Sequence, residues 1–253
     1  MAVLTEKQIK YGFDYYHKDD ARPKSVVEVS EYDGEDKLII NCTQLEESYS
    51  AKAKKRIWME WCDFLVNNPD TFTELMFCTR MPQDLFDAVC AQRRLKKLHI
   101  KWGVYPDISK LENLQELEYL HIGSGRSVSS LEPISRLVNL VALSIENFQQ
   151  IDDYAPLANL KHLESLALEG DFAAPKILKV QSLEFLRHMK QLRFFSLLTA
   201  KVIDKDYFPI LELHNLEHLT LKSCKEVKQL YPQFVKLPKL KYGTVLERPE
   251  LYE

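Results

Sequence analysis

Leu95-Lys96-Lys97-Leu98-His99-Ile100 is followed by Leu117-Glu118-Tyr119-Leu120-His121-Ile122 and then by Leu140-Val141-Ala142-Leu143-Ser144-Ile145. The motif is L-x-x-L-x-[LI]. It returns as Leu163-Leu166-Leu168, Leu192-Phe195-Leu197 and Leu216-Leu219-Leu221. Degenerate copies flank the series, Phe72-Leu75-Phe77 before it and Leu237-Leu240-Tyr242 after it. Successive copies start 23, 22, 23, 23, 29, 24 and 21 residues apart. The alternating half of each copy reads as a short strand with one buried face. Upstream, Leu131-Ile134-Leu137-Leu140 and Leu157-Leu160-Leu163 place an apolar residue at every third position. That period suits a 3₁₀ or short helical turn, where i and i+3 eclipse. One such unit cannot bury its apolar edge, but stacked units share a core.

Composition agrees with this spacing. Of 37 leucines in 253 residues, 31 fall in residues 95–253, where strand and turn positions require them. The pattern over residues 72–246 resembles the leucine-rich-repeat family, in its short class seen in internalins and phosphatase-regulatory repeat proteins. The resemblance implies an α/β fold: a right-handed solenoid of about seven or eight repeats, strands in a concave parallel sheet and turns on the convex side. The family often has Asn or Cys three residues after the last strand apolar. Here that position reads Gly103, Gly125, Phe148, Asp171, Ala200 and Cys224, so a regular Asn ladder is absent. The 29-residue spacing holds an insertion near Phe172-Ala173-Ala174-Pro175-Lys176, and a longer loop or extra helical turn is expected over 172–182.

Residues 1–70 lack the repeat and are read as an N-terminal α+β cap, residues 71–253 as the repeat domain. Ser25–Ser30 and Lys37–Asn41 are strand-like around Asp33-Gly34, which predicts a hairpin. Ala53, Ile57, Trp58, Trp61 and Leu65 recur at helical spacing before Pro69, which predicts a helix burying both tryptophans, with Lys52, Lys54, Lys55 and Arg56 on its wet side. Ile9–Tyr16 fits either a strand or a helix. Pro82–Gln92 reads as a helix.

The net charge is −3, without the basic excess of a nucleic-acid binder. No apolar run reaches a membrane span, and the start lacks an apolar signal core. Five cysteines, odd in number and without CxxC pairing, point to free thiols and a cytoplasmic protein. Nucleotide, metalloprotease and serine-hydrolase motifs are missing. Gly123-Ser124-Gly125-Arg126 resembles a phosphate loop but lacks its Lys-Ser/Thr ending. No catalytic, cofactor or metal residue is assigned. His99 and His121 share a column of adjacent strands, which gives two ligands where a metal needs three or four.

The expected function is non-enzymatic protein binding on the concave face. Its non-apolar strand positions include Lys97, His99, Lys101, the adjoining Trp102, Tyr119, His121, Glu146, Glu169, Phe194, His218 and Lys222. Cations beside aromatics have the composition of a binding hot spot. Two alternatives stand: a bacterial inhibitory, immunity or enzyme-regulating partner, or an enzyme in residues 1–70 with the repeats reading its substrate.

Overall fold

The computed structural model describes residues 3–13, 21–171 and 176–253. Near the start, Thr5 caps α1 (Glu6–Tyr11) in a capping box with Gln8. Then come β1 (Lys24–Val26), β2 (Lys37–Ile40) and the long α2 (Ala51–Asn67), capped by Ser50. β3 (Glu74–Phe77), β4 (Met81–Pro82) and α3 (Gln83–Val89) follow. The repeats supply β5 (Lys97–Ile100), β6 (Gly103–Val104), β7 (Tyr119–Ile122), α4 (Glu132–Ser135), β8 (Ala142–Glu146) and β9 (Ser165–Glu169). They end with β10 (Leu178–Val180), β11 (Phe194–Leu198), β12 (Ala200–Val202), β13 (His218–Leu221), α5 (Lys225–Phe234) and α6 (Thr244–Glu247).

Nine strands form one sheet in the order β1-β2-β3-β5-β7-β8-β9-β11-β13. Every pair in it is parallel, and the repeat positions are in register: Leu98 faces Leu120, which faces Leu143, then Leu166, Phe195 and Leu219. The three-residue period becomes 3₁₀ turns at Ser109–Asn113, Ala155–Asn159, Glu184–His188 and Phe208–Glu212, and α4 in the remaining repeat. The motif leucines from Leu95 to Leu221 are buried in a single cluster that runs from Val26 to Tyr252, and Leu240 of the last motif packs half-buried against it. At about 1.5–3 kcal/mol per buried aliphatic side chain, this continuous core is the main stabilising term. The chain is thus an α/β solenoid. The last motif, Leu237-Leu240-Tyr242, contributes one bridge to His218 instead of a strand.

The expected hairpin is not formed. β1 and β2 are parallel, with Ser25 opposite Ile39, and a 3₁₀ turn at Val29–Glu31 lies between them. β2 in turn pairs with β3, Leu38 opposite Leu75, so the parallel sheet crosses residue 70 without interruption. The physical reason is burial: Val26, Leu38 and Ile40 continue the repeat's inward column, and parallel pairing keeps all three on the core side. α2 buries Ile57, Trp61 and Leu65, and the Trp61 indole N–H donates to the Val27 carbonyl at 2.8 Å. Trp58, expected inside as well, is only half-buried. α3 buries Leu85, Phe86 and Val89 as its pattern requires.

Where the Asn ladder is missing, the chain turns through left-handed residues. Ser124, Asn147 and Thr199 stand two positions after the last strand apolar and have φ of 56°, 60° and 50°. A parallel pair of β10 and β12 follows the turns of two adjacent repeats, and β4 and β6 form a similar pair earlier. The described part of the expected insertion, residues 176–182, contains β10 and no extra helical turn; Phe172–Pro175 lie outside the described residues. For Ile9–Tyr16 the described portion is helical through Tyr11, and Tyr15 and Tyr16 lie outside the described residues.

Candidate functional site

The open face of the sheet is built by the non-apolar strand positions, and its centre is covered. α1 lies across it. Leu4, Ile9 and Phe13 pack with Val141 and Ala142 in a second, separate apolar cluster bordered by Tyr119 and Tyr242. The Phe13 and Tyr119 rings are 6.0 Å apart. The Tyr242 hydroxyl donates to the Glu6 carboxylate at 2.8 Å, and the Lys10 ammonium sits 5.7 Å from the Tyr242 ring.

An ion network frames this contact. The Arg193 guanidinium donates to Glu217 at 2.7 Å and to Glu164 at 3.0 Å, and reaches the Leu4 carbonyl at 3.5 Å. Lys241 adds a bond to Glu217 at 3.0 Å. Burial raises the Glu217 carboxyl, but the bonds from Lys241 and Arg193 outweigh it and hold the group below the usual carboxylate range.

Imidazoles line the rest. His99 and His121 stack with ring centres 4.3 Å apart, as their shared column requires. His121 Nδ1 meets the Ser144 hydroxyl at 3.0 Å. Burial pushes His99 down to about 2, helped by the neighbouring His121, Lys97 and Lys101, and pushes His121 down to about 4. His218 stacks on Phe194 at 4.2 Å, bonds Thr220 at 2.8 Å, and is likewise lowered to about 4 by burial. These rings are therefore neutral at pH 7. Between α1 and the sheet remains a cavity of about 450 Å³, lined by Tyr11, His121, Glu146, Glu169, Phe194 and His218 among others. Glu146 and Glu169 are opposite one another on β8 and β9, and the Ser196 hydroxyl donates to Glu169 at 3.1 Å.

The eleven residues singled out from the sequence thus divide. Tyr119, His121, Glu146, Glu169, Phe194 and His218 lie beneath or beside α1. Lys97, His99, Lys101 and Trp102 lie on the N-terminal side, where Lys97 pairs with Glu74 at 3.1 Å, His99 and Trp102 are half-buried and Lys101 is exposed. Lys222 is exposed at the far end, beside the β12 edge.

Among solved structures, an internalin (inlF) from Listeria monocytogenes matches over 81% of this chain and 51% of its own, with a TM-score of 0.51 at 18% identity. The fold is a leucine-rich-repeat solenoid. In sequence, the volume-regulated anion channel subunit LRRC8E of Mus musculus is 32% identical over 134 residues, which is 49% of this chain and 16% of that protein. The chain therefore spans about half of the internalin and a small fraction of the channel subunit. No family model matches the sequence.

The leucine-rich-repeat geometry also explains which residues the sequence reading passed over. Val141, Glu164, Arg193 and Glu217 all directly follow the first motif apolar. They stand where the chain enters the strand, outside the alternation used to map the open face, yet α1 docks on this column. The signal for α1 itself was present as Thr5-x-x-Gln8, a capping box. The Gly123–Arg126 loop spends its amides within the solenoid: Gly123 N–H donates to Ile100 and Gly125 N–H to Glu146. Among the described residues no group of three His, Cys, Asp or Glu is placed to hold a metal ion, and no helix is long and apolar enough to cross a membrane.

Proposed function

We propose that this leucine-rich-repeat solenoid is a non-enzymatic scaffold that holds another protein on the open face of its sheet. One observation carries the reading. That face already holds a peptide segment, the chain's own α1, by burying Leu4, Ile9 and Phe13 against Val141 and Ala142 and anchoring it to Tyr242. A surface that accepts one amphipathic helix has the chemistry to accept another. The N-terminal portion, with the exposed Lys101 and the half-buried Lys97, His99 and Trp102, adjoins the covered part and extends the contact area with cations and an indole.

The side chains favour binding over reaction. Burial pushes the Cys42 and Cys62 thiols up to about 12, which opposes nucleophile chemistry in residues 1–70. Five free thiols suit a reducing, cytoplasmic setting. An inhibitory or enzyme-regulating role is the narrower form of the same reading, with one target held by the exposed cations and Trp102.

The test uses the chain with Ile9→Asp, which removes α1's buried anchor. A labelled peptide of residues 3–13 is titrated in by fluorescence anisotropy. Saturable binding that unlabelled peptide reverses is expected. A folded Ile9→Asp chain to which the peptide shows no saturable binding would overturn the reading.

A further inference from the structure

The cavity beside α2 lies away from the open face and has its own chemistry. The loop after β2 (Cys42 to Leu45), the start of α2 (Lys54, Lys55, Trp58) and the Arg80–Pro82 corner border an open cleft of about 530 Å³. That volume is in the range of small-molecule sites. Trp58, Leu45 and Pro82 form an apolar wall, and Trp58 shows part of its indole there instead of burying it like Trp61. Lys54, Lys55 and Arg80 also line the cavity, and among the described residues no carboxylate pairs with any of them. Next to them Arg56 is different, since it is held by Glu60 and Glu28.

Two further observations mark the place. The N-terminal end of a helix attracts anions and repels cations. The first turn of α2 nevertheless has no acidic residue, and Lys52, Lys54 and Lys55 crowd there. A helix that breaks its own electrostatic preference without internal compensation is the pattern expected of a functional site. The rim is also fixed. Gln44 is left-handed at φ 54°, and its side-chain carbonyl accepts the Arg80 N–H at 2.9 Å. The Thr43 hydroxyl donates to the Arg80 carbonyl at 2.6 Å and meets Thr79 at 2.9 Å. Both backbone groups of Arg80 are thereby tied to the opposite loop.

We propose that this cavity binds a phosphate monoester carried on a planar apolar body. Three unmatched cations call for more than the single charge of a carboxylate, and a phosphate monoester carries about −1.5 to −2 near neutral pH. Arg80 offers a planar fork and the two lysines add point charges. The half-buried indole of Trp58, which lines the cavity, supplies a flat surface on which a ring stacks.

The test is calorimetric titration of the full chain with phenyl phosphate and adenosine monophosphate, and with adenosine and inorganic phosphate as the two halves. At least one ester is expected to saturate, about tenfold or more tighter than either half. Trp58→Leu should remove that advantage and leave the phosphate affinity unchanged. Lys54→Glu with Lys55→Glu should abolish ester binding while raising the melting temperature of the unliganded chain, because acids then occupy the first turn. Arg80→Gln, on an exposed loop, gives the same loss of binding without touching the helix. The proposal is overturned if neither ester saturates, if Arg80→Gln binds as wild type, or if inorganic phosphate alone binds as tightly as the esters.

Discussion

The Tyr242 hydroxyl donates to the Glu6 carboxylate at 2.8 Å across a sequence separation of 236 residues. This bond joins the first helix to the last repeat motif, and with Ile9 it decides whether the open face is covered. Ile9 is 1% exposed. Ile9→Asp places a carboxylate in an apolar cluster, where its desolvation exceeds what so short a helix gains by docking. We expect α1 to detach while the repeats stay folded. Trypsin should then cleave after Lys7 and Lys10 about tenfold faster or more, a ratio equal to ~1.4 kcal/mol. Equal cleavage rates in the two chains would contradict the docked position of α1.

Arg193 is shared between Glu164 and Glu217, with side-chain exposures of 27%, 21% and 11%. Arg193→Ala leaves two partly buried carboxylates facing each other with Lys241 as the remaining cation. A loss of about 1–3 kcal/mol is expected, below the 3–5 kcal/mol of a fully buried pair because water still screens this one. Chemical denaturation measures it, and adding Glu217→Gln should restore part of the loss.

Acid should destabilise the fold through its histidines. His121 and His218 fall from the ordinary 6.5 to about 4 by burial, and His99 falls further. The unfolded chain therefore takes up protons first. The stability from neutral imidazoles is complete above about pH 6.5 and declines as the pH falls toward 4. Two depressed groups of this size make the decline several kcal/mol in order of magnitude, at ~1.4 kcal/mol per pH unit each. Melting curves from pH 7.5 to 4.5 should show it, and His121→Phe should flatten the slope. An unchanged slope would mean that His121 is not buried as described.

Gly123 closes the turn after β7, where an added Cβ would lie 2.0 Å from the Lys101 carbonyl oxygen. Gly123→Ala has no flexible neighbour to displace, only backbone. A loss of roughly 2 kcal/mol or more is expected, at the upper end of single substitutions. A melting temperature within 2 °C of wild type, about the shift of a sub-kcal/mol change, would show that this turn has slack.

Removing residues 1–70 should leave the repeats insoluble. β3 would lose its pairing with β2, and Phe72, Leu75 and Phe77 would lose the cover of Leu38, Ile40 and α2. An uncovered parallel edge with an apolar flank is an aggregation template. A soluble fragment 71–253 that melts cooperatively would refute this.

The solenoid was readable from the sequence because its core is periodic: each motif leucine does the same thing as its counterpart one repeat away. The failures occur where periodicity stops carrying information. Asp33-Gly34 suggested a hairpin since a local turn signal says nothing about where the following strand pairs, and here the inward column of Val26, Leu38 and Ile40 decided it. Helical spacing alone predicts both tryptophans inside, whereas Trp61 takes the core position and Trp58 lines the cavity. Covering of the open face was invisible for another reason. It depends on contacts such as Glu6 with Tyr242 and Leu4 with Arg193, between residues nearly a chain length apart, and no local pattern encodes those.

A stack of repeats ordinarily behaves as a one-dimensional array, in which an end can fray while the middle holds. The helix laid from the last motif back over Val141 and Tyr119 changes that connectivity. Loosening the terminal repeat now also strips cover from the middle of the sheet, and losing the middle frees the terminus. Fraying from the C-terminal end therefore becomes coupled to events several repeats away, and the array gains the all-or-none unfolding of a small globular domain.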